Sequence, residues 1–202
     1  MISAPNFADL KGLIHGFGLR SSTYSAEIVT AKQVHSSVVQ DAAGPLGPGD
    51  ALISNQPAVV VGVRTADCVP ILLADPVTGA VAAIHAGWRG SGAGIAAAAV
   101  RALSERWNAR PGDLRAAIGP SIGVCCYEVG PEVAYQFEMD VSTPVHLDLP
   151  AVNERQLRDV GVVDIWTSGE CTFCAKDRFY SFRREREQAG RMTSFIGWQK
   201  RF

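Results

Sequence analysis

The stretch GDALISNQPAVVVGVRTADCVPILLADPVTGAVAAIHAGWRGSGAG, residues 49–94, sets the architecture of this chain. It contains four short strand candidates, roughly 50–54, 58–64, 69–74 and 80–85. The turn DPVTG (75–79) joins the last two as a hairpin, Asp and Gly supplying the turn chemistry. After His85 the pattern changes. AGWRGSGAG is a glycine-rich turn, and GIAAAAVRALSERW, Ala-rich with Arg101 and Arg106 towards its C-terminal half, predicts a helix.

Outward from this block, residues 27–39 read as extended, with Val34, Ser36 and Val38 on one face and Gln33, His35 and Ser37 on the other. Residues 113–119 and 126–130 resume the sheet. Residues 131–139 and 150–161 read as helices with Pro near their starts. Strand candidates at 162–166, 179–184 and 192–198 close the chain. Strands outnumber helices and few connections could be helical crossovers. The expected fold class is therefore α+β, a single domain of mixed β-sheets flanked by helices over residues 1–202, with a short N-terminal region before residue 32.

Bulk properties narrow the function classes. The chain has 202 residues, 47% hydrophobic and 19% charged, which suits a globular domain with a substantial core. A net charge of −1 argues against nucleic-acid binding, which needs a basic face. The longest apolar runs, AVVVGV (58–63) and VPILLA (69–74), are too short to span a bilayer. The start, MISAPNFADLKGLIHGFG, lacks a basic segment followed by an apolar one, so a cytoplasmic protein is expected. Five cysteines are an odd number and too few for a disulfide scaffold, which fits a reducing compartment. A monomer or weak homo-oligomer is expected.

Three residues could hold a metal. Cys68 precedes one apolar strand, His85 ends another, and His35 lies upstream in KQVHSS. Two imidazoles and one thiolate make the ligand set of a catalytic zinc site, which keeps one position open. The spacing is too wide to be a motif. Taken singly, Cys68 reads equally as a small buried hydrophobe and His35 as a surface histidine. Asp67, beside Cys68 in TADC, is poor core material and reads as a proton-handling or ligand-orienting carboxylate. RGSGAG matches neither GxGxxG nor GxxxxGK[ST], so neither nucleotide motif is present. CTFC (171–174) has the CxxC spacing. However, Cys125 and Cys126, if adjacent on a strand, would point to opposite faces, so no second metal site is expected from these cysteines. FRRERE (182–187) mixes signs, and its Arg183 and Arg184 could serve an anionic substrate group.

QVHSS, GDALISN, TADCVPILLADP, AAIHAGWRG, AIGPSIGVCCYEVG, LDL, CTFC and FYSFRRE with GRMTSFI follow, in order, the pattern of the laccase-domain family, also called multicopper polyphenol oxidase-like proteins. The resemblance runs from about residue 32 to 197. It implies an α+β fold and identifies His35, Cys68 and His85 with the family's zinc-binding active-site triad. It also implies a purine nucleoside phosphorylase with adenosine deaminase activity on adenosine, inosine, guanosine or methylthioadenosine, or a peptidoglycan editing factor. The partners so implied are a nucleoside and phosphate, with Arg64, Arg89 and Arg183 as substrate-binding candidates and Asp67 joining the triad as a catalytic candidate. Copper is the less favoured metal: a multicopper oxidase draws most ligands of several coppers from clustered imidazoles, and this chain has only four histidines. A different chemistry would make Cys68 the nucleophile and His85 the base of a cysteine hydrolase or amidase-like editing enzyme. Two departures stand out. GFGLR (16–20) runs almost directly into KQVHS, without an intervening segment of some tens of residues, and RRE (183–185) replaces the commoner RRD.

Overall fold

Side chains on the central strands alternate between two apolar surroundings, and that alternation builds the layers. A computed structural model describes residues 1–141 and 145–199. The elements begin with β1 (Leu13–Phe17), β2 (Ile28–Val29), β3 (Val39–Asp41), β4 (Ala51–Ser54), β5 (Val60–Thr65), β6 (Val69–Ala74) and β7 (Val81–Ala86). There follow α1 (Trp88–Gly92), α2 (Ile95–Trp107), β8 (Arg115–Ile118), β9 (Glu128–Val129), α3 (Pro131–Gln136) and β10 (Val145–His146). The chain closes with α4 (Leu149–Asp159), β11 (Asp164–Thr167), α5 (Phe182–Glu185) and β12 (Met192–Trp198).

A six-stranded sheet runs β11-β8-β6-β7-β4-β3, a four-stranded sheet runs β1-β12-β5-β2, and β9 pairs with β10. Pairings are mostly antiparallel, but β3–β4, β8–β11 and β2–β5 are parallel, so both large sheets are mixed. This is the α+β fold expected.

Ile71 and Leu73 of β6, with Ala82 and Ile84 of β7, face the helix layer and pack with Ile95, Ala99 and Leu103 of α2 and Leu157 of α4. The opposite parity, Leu72 and Ala74 with Val81 and Ala83, packs with Val61, Val63 and Ile196 of the four-stranded sheet. Strand side chains alternate with period two, so one strand pair serves both cores. The alanines of α2 let its backbone approach the sheet. The helix ends at Asn108, which adopts φ 55 and returns its N–H to the Ser104 carbonyl, a left-handed stop that Asn tolerates. Among the described residues no helix is long and apolar enough to cross a membrane.

Four local expectations change. Residues 27–39 are not one strand: Ile28–Val29 and the start of β3 lie in strands and Lys32 makes a lone bridge to Pro48, because the chain turns at His35 around a buried carboxylate. Residues 179–184 do not form a strand either. Ser181 accepts the Arg184 N–H at 3.3 Å and caps the short helix α5, overriding the β-propensity of FYSF. The glycine turn after His85 includes a one-turn helix, α1. Finally, Cys125 and Cys126 are not on a strand. The N–H groups of Cys126 and Tyr127 both bond to the Gly123 carbonyl, closing a turn, so neighbouring side chains there need not point apart.

Candidate metal centre

The β6–β7 pair brings Cys68 and His85 together. The antiparallel register sets Pro70 opposite His85, and Cys68 stands two residues before Pro70, on the same face and diagonally across from His85. Both project from the face turned to the four-stranded sheet, at the end of the sandwich. His35 reaches them from the loop before β3, in the left-handed conformation (φ 61).

Asp50, fully buried at the start of β4, holds this arrangement. Its carboxylate accepts the N–H groups of Val34 (3.2 Å), His35 (2.9 Å) and Ser36 (2.7 Å) and the Ser36 hydroxyl (2.8 Å). It also accepts from His85 Nδ1 at 2.8 Å, while its carbonyl accepts the His85 N–H at 2.7 Å. One buried carboxylate therefore sets the His35 turn and the His85 ring. With Nδ1–H directed to Asp50, His85 presents Nε2 to Cys68, the tautomer that metal-bound histidines commonly owe to a carboxylate partner. Within GDALISN, local sequence gives Asp50 no role of its own. An acidic residue abutting an apolar strand was the available signal.

The donor set fits a metal ion. The ligand atoms of His35, Cys68 and His85 lie within 4.8 Å of one another, with His35 Nε2 4.0 Å from Cys68 Sγ. The two imidazoles meet edge to face at 4.8 Å and 77°. Gly87 completes the cradle, since a Cβ there would lie 2.9 Å from the His35 ring and 3.2 Å from Cys68 Sγ.

Electrostatics favour a charged pair. Burial pushes the Cys68 thiol up, but hydrogen bonds and charge from His35 and His85 outweigh it and hold it at about 6. Burial pushes His85 down, yet Asp50 and Cys68 raise it to about 9. Asp50 resists the upward pull of burial through its bonds from His85, Ser36 and Val34 and stays far below the usual carboxylate range. Without metal the site is thus a thiolate beside an imidazolium at neutral pH.

The triad opens onto a cavity of about 930 Å³. Arg64, Arg89 and Arg183 all line it, as does Asp67. Lys32, Arg186 and Arg191 add three cations, and Trp88, Tyr127 and Phe182 add three rings, none singled out by sequence because they come from separate segments. Arg89 lies over Trp88 at 4.5 Å and Arg183 over Tyr127 at 5.5 Å. Gln33 brackets Arg64, donating to its carbonyl and accepting its N–H, both at 2.8 Å.

Asp67, also left-handed (φ 87), uses its carboxylate to accept from Thr172 Oγ1 at 2.7 Å, Ser181 Oγ at 3.0 Å and the Arg183 N–H at 2.7 Å. It ties two C-terminal loops to the residue beside Cys68. Arg184 is engaged elsewhere, donating to the carbonyls of Thr172, Phe173 and Phe179. Glu185, the acidic residue of RRE, accepts from Arg20 and Arg184 at 2.7 Å each. The four remaining cysteines also meet: the sulfurs of Cys125, Cys126, Cys171 and Cys174 lie within 4.8 Å of one another.

Comparison with known proteins identifies the family and the fold. The family model described as multi-copper polyphenol oxidoreductase laccase matches residues 18–199. The purine nucleoside phosphorylase of Deinococcus radiodurans is 41% identical over 178 residues, spanning 84% of this chain and 69% of that protein. An adenosine deaminase from an unknown prokaryotic organism is 40% identical over 161 residues, spanning 73% of this chain and 61% of that one. The crystal structure of YlmD from Geobacillus stearothermophilus superposes with a TM-score of 0.85 at 29% identity, covering 98% of this chain and 94% of that chain.

Proposed function

The chain belongs to the multi-copper polyphenol oxidoreductase laccase family, and from that premise we propose that it is a zinc-dependent purine nucleoside phosphorylase that also deaminates adenosine. One observation carries the reading: an N,N,S ligand triad opens onto a cavity walled by six cations and three aromatic rings. His35, the Cys68 thiolate and His85 Nε2 would hold the metal, with Asp50 fixing the His85 tautomer. When bound, such a metal supplies an open coordination position that acidifies water or polarises a substrate.

The chain's own residues supply the rest. In phosphorolysis a phosphate oxygen bonds to C1′ as the glycosidic bond breaks and the purine leaves. Arg64, Arg89 and Arg183 offer the charge that draws phosphate in and holds it against C1′. Trp88, Tyr127 and Phe182 offer faces on which a purine can stack and exclude water. In deamination water adds at C6 and ammonia leaves. Asp67 lines the cavity, but its three hydrogen bonds favour the orienting role over the proton-handling one. Copper oxidation fits poorly. His15 accepts the Ala4 N–H within the N-terminal region and His146 sits exposed on β10, so only two of the four imidazoles converge.

The experiment is purine release from inosine with and without phosphate, and ammonia release from adenosine, before chelation, after it, and after zinc is restored. Phosphate-dependent release lost on chelation and regained with zinc is expected. No turnover on any nucleoside would sink the proposal. A second reading has its own observation, the thiolate–imidazolium pair of Cys68 and His85, which suits a cysteine hydrolase or an amidase-like enzyme acting on peptidoglycan precursors. Its activity would survive chelation, and alkylation of Cys68 would abolish it.

A further inference from the structure

The geometry points to a second metal site: Cys125, Cys126, Cys171 and Cys174 form a closed tetrathiolate site for zinc that fastens the loop 171–174 to the turn 123–126. Cys126 Sγ lies 3.3 Å and Cys125 Sγ 3.8 Å from Cys174 Sγ, and all four sulfurs fall within 4.8 Å. A tetrahedral ion with Zn–S bonds of about 2.3 Å spaces its sulfurs by roughly 3.8 Å, so small shifts complete the site.

The backbone is shaped for these ligands. The Gly123 N–H donates to Cys171 Sγ at 3.2 Å, a bond that favours the thiolate. Ala175 N–H returns to the Cys171 carbonyl at 3.1 Å, closing the CTFC turn. A Cβ on Gly123 would stand 3.3 Å from Cys171 Cβ and 3.4 Å from Cys125 Sγ, so a side chain there would press on two ligands. Apolar packing does not account for the gathering. Cys125 and Cys174 are exposed, and none of the four belongs to either hydrophobic core.

The donor set names the ion class and its role. Four thiolates suit a soft or borderline ion rather than magnesium or calcium, and four protein ligands leave no open position, the mark of a structural site. Each ion taken up displaces whatever thiol protons remain, leaving a site of net charge −2. The Arg184 guanidinium, bound to the carbonyls of Thr172 and Phe173 at 2.9 and 2.6 Å, places a positive charge on the same loop. Thr172, between the two CxxC cysteines, donates to Asp67 Oδ1, and Ile122 N–H bonds to the Asp67 carbonyl at 2.9 Å. The second ion would thus brace both sides of Asp67, next to Cys68.

The test is metal content of the full chain purified under reducing conditions: the natural sequence, Cys68→Ala, and the double variant Cys171→Ser with Cys174→Ser. Cys68→Ala is expected to keep one tightly held zinc per chain. Its other four cysteines should resist alkylation until a mercurial releases that ion. Reconstituted with cobalt, Cys68→Ala should show tetrahedral d–d bands with strong thiolate charge transfer. The double variant is expected to lose one equivalent of zinc, melt at lower temperature, and show kcat/KM reduced roughly 10-fold, as for disturbed outer partners of a metal site. Should it fail to fold, the Cys68→Ala measurements decide alone. Cys68→Ala protein without bound zinc, with its four cysteines alkylating freely, or with two of them joined as a disulfide by intact mass, would overturn the site, and iron in place of zinc would overturn the ion.

Discussion

The two cysteine-bearing regions are built by opposite means. The His35–Cys68–His85 triad is mounted on buried strands, steered by one buried carboxylate and open to a large cavity. The four-cysteine cluster is mounted on turns near the surface and offers only sulfur. A rigid frame with an incomplete ligand set suits chemistry, because the open position must be held in a fixed place. A frame of separate turns with a complete set suits cross-linking, because the ion itself ties the turns together. In this reading the frame is what separates a working site from a staple.

The sharpest way to break that comparison is to remove one sulfur from each region. Cys68→Ala should abolish turnover, a loss well beyond the ~100-fold that follows from disturbing an outer partner of a metal ligand. Measured below pH 6, where the thiolate contribution is lost, its melting temperature without metal should move little, since the side chain fills no core space. Cys174→Ala should leave turnover within about tenfold and instead cost thermal stability. Melting curves with steady-state kinetics on the two proteins read this directly, and equal effects on both quantities would erase the distinction. Cys126, which would have been a stability residue of the sheet if 126–130 were all strand, belongs with Cys174 here.

The next contrast sets two aspartates against each other. Asp50→Asn breaks the buried pair with His85 and turns an amide N–H towards backbone donors, so a loss of about 3–5 kcal/mol is expected along with weakened metal binding. Asp67→Asn should cost less, about 1–3 kcal/mol from hydrogen bonds left unmade, and weaken metal affinity roughly 10-fold. Denaturant titration and a competitive chelator measure both. An Asp67→Asn protein with native metal affinity and much reduced turnover would return Asp67 to the proton-handling role.

A pH test probes the triad alone. The Cys68 pKa is depressed to about 6, so its contribution to stability is complete above the unfolded thiol value of about 8.5 and is lost as pH falls through 6. The His85 pKa is raised to about 9, so its contribution is complete below the unfolded value of about 6.5 and is lost as pH rises through 9. Between those limits the opposite slopes offset each other. The metal-free protein should show a plateau in melting temperature from about pH 6.5 to 8.5, falling on both sides. Over the same range the metal-free protein should show thiolate ultraviolet absorbance that Cys68→Ala lacks, because the sulfur is already ionised beside His85. Difference spectra of the two proteins read it. No difference at neutral pH would remove the thiolate–imidazolium pair.

The smallest effect concerns the cavity wall. Arg89→Ala and Arg64→Ala should each raise KM for phosphate by about tenfold, one charge-assisted contact, with less effect on KM for the nucleoside. Initial rates over a grid of both substrates separate the two. Equal effects on both would place these arginines outside the anion site.

How far could the chain be read without its fold? The four strands of 49–86, their hairpin and the helix after RGSGAG were legible because local periodicity and turn chemistry agree with the final packing. Cys68 and His85 were legible as strand-end residues, and alternation together with the hairpin register puts them on one face. His35 was legible only as a residue type in a motif. The reason it reaches the site, a left-handed turn wrapped around Asp50, is a contact across 15 residues that no period encodes. The same limit hid the second cluster. Treating Cys125 and Cys126 as a strand sent them to opposite faces, whereas the turn at Gly123 gathers both with a loop almost 50 residues away. Arg64, Arg89 and Arg183 were named beforehand, but Lys32, Arg186, Arg191 and the rings of the cavity were equally hidden, each an ordinary residue until the β-sandwich and its loops close around one space. By itself the sequence determined which segments are strands and helices and which residue types could bind a metal, since those depend on neighbours a few positions away. Tertiary structure alone decided which of them converge, because convergence rests on backbone turns and buried hydrogen bonds between segments far apart in the chain.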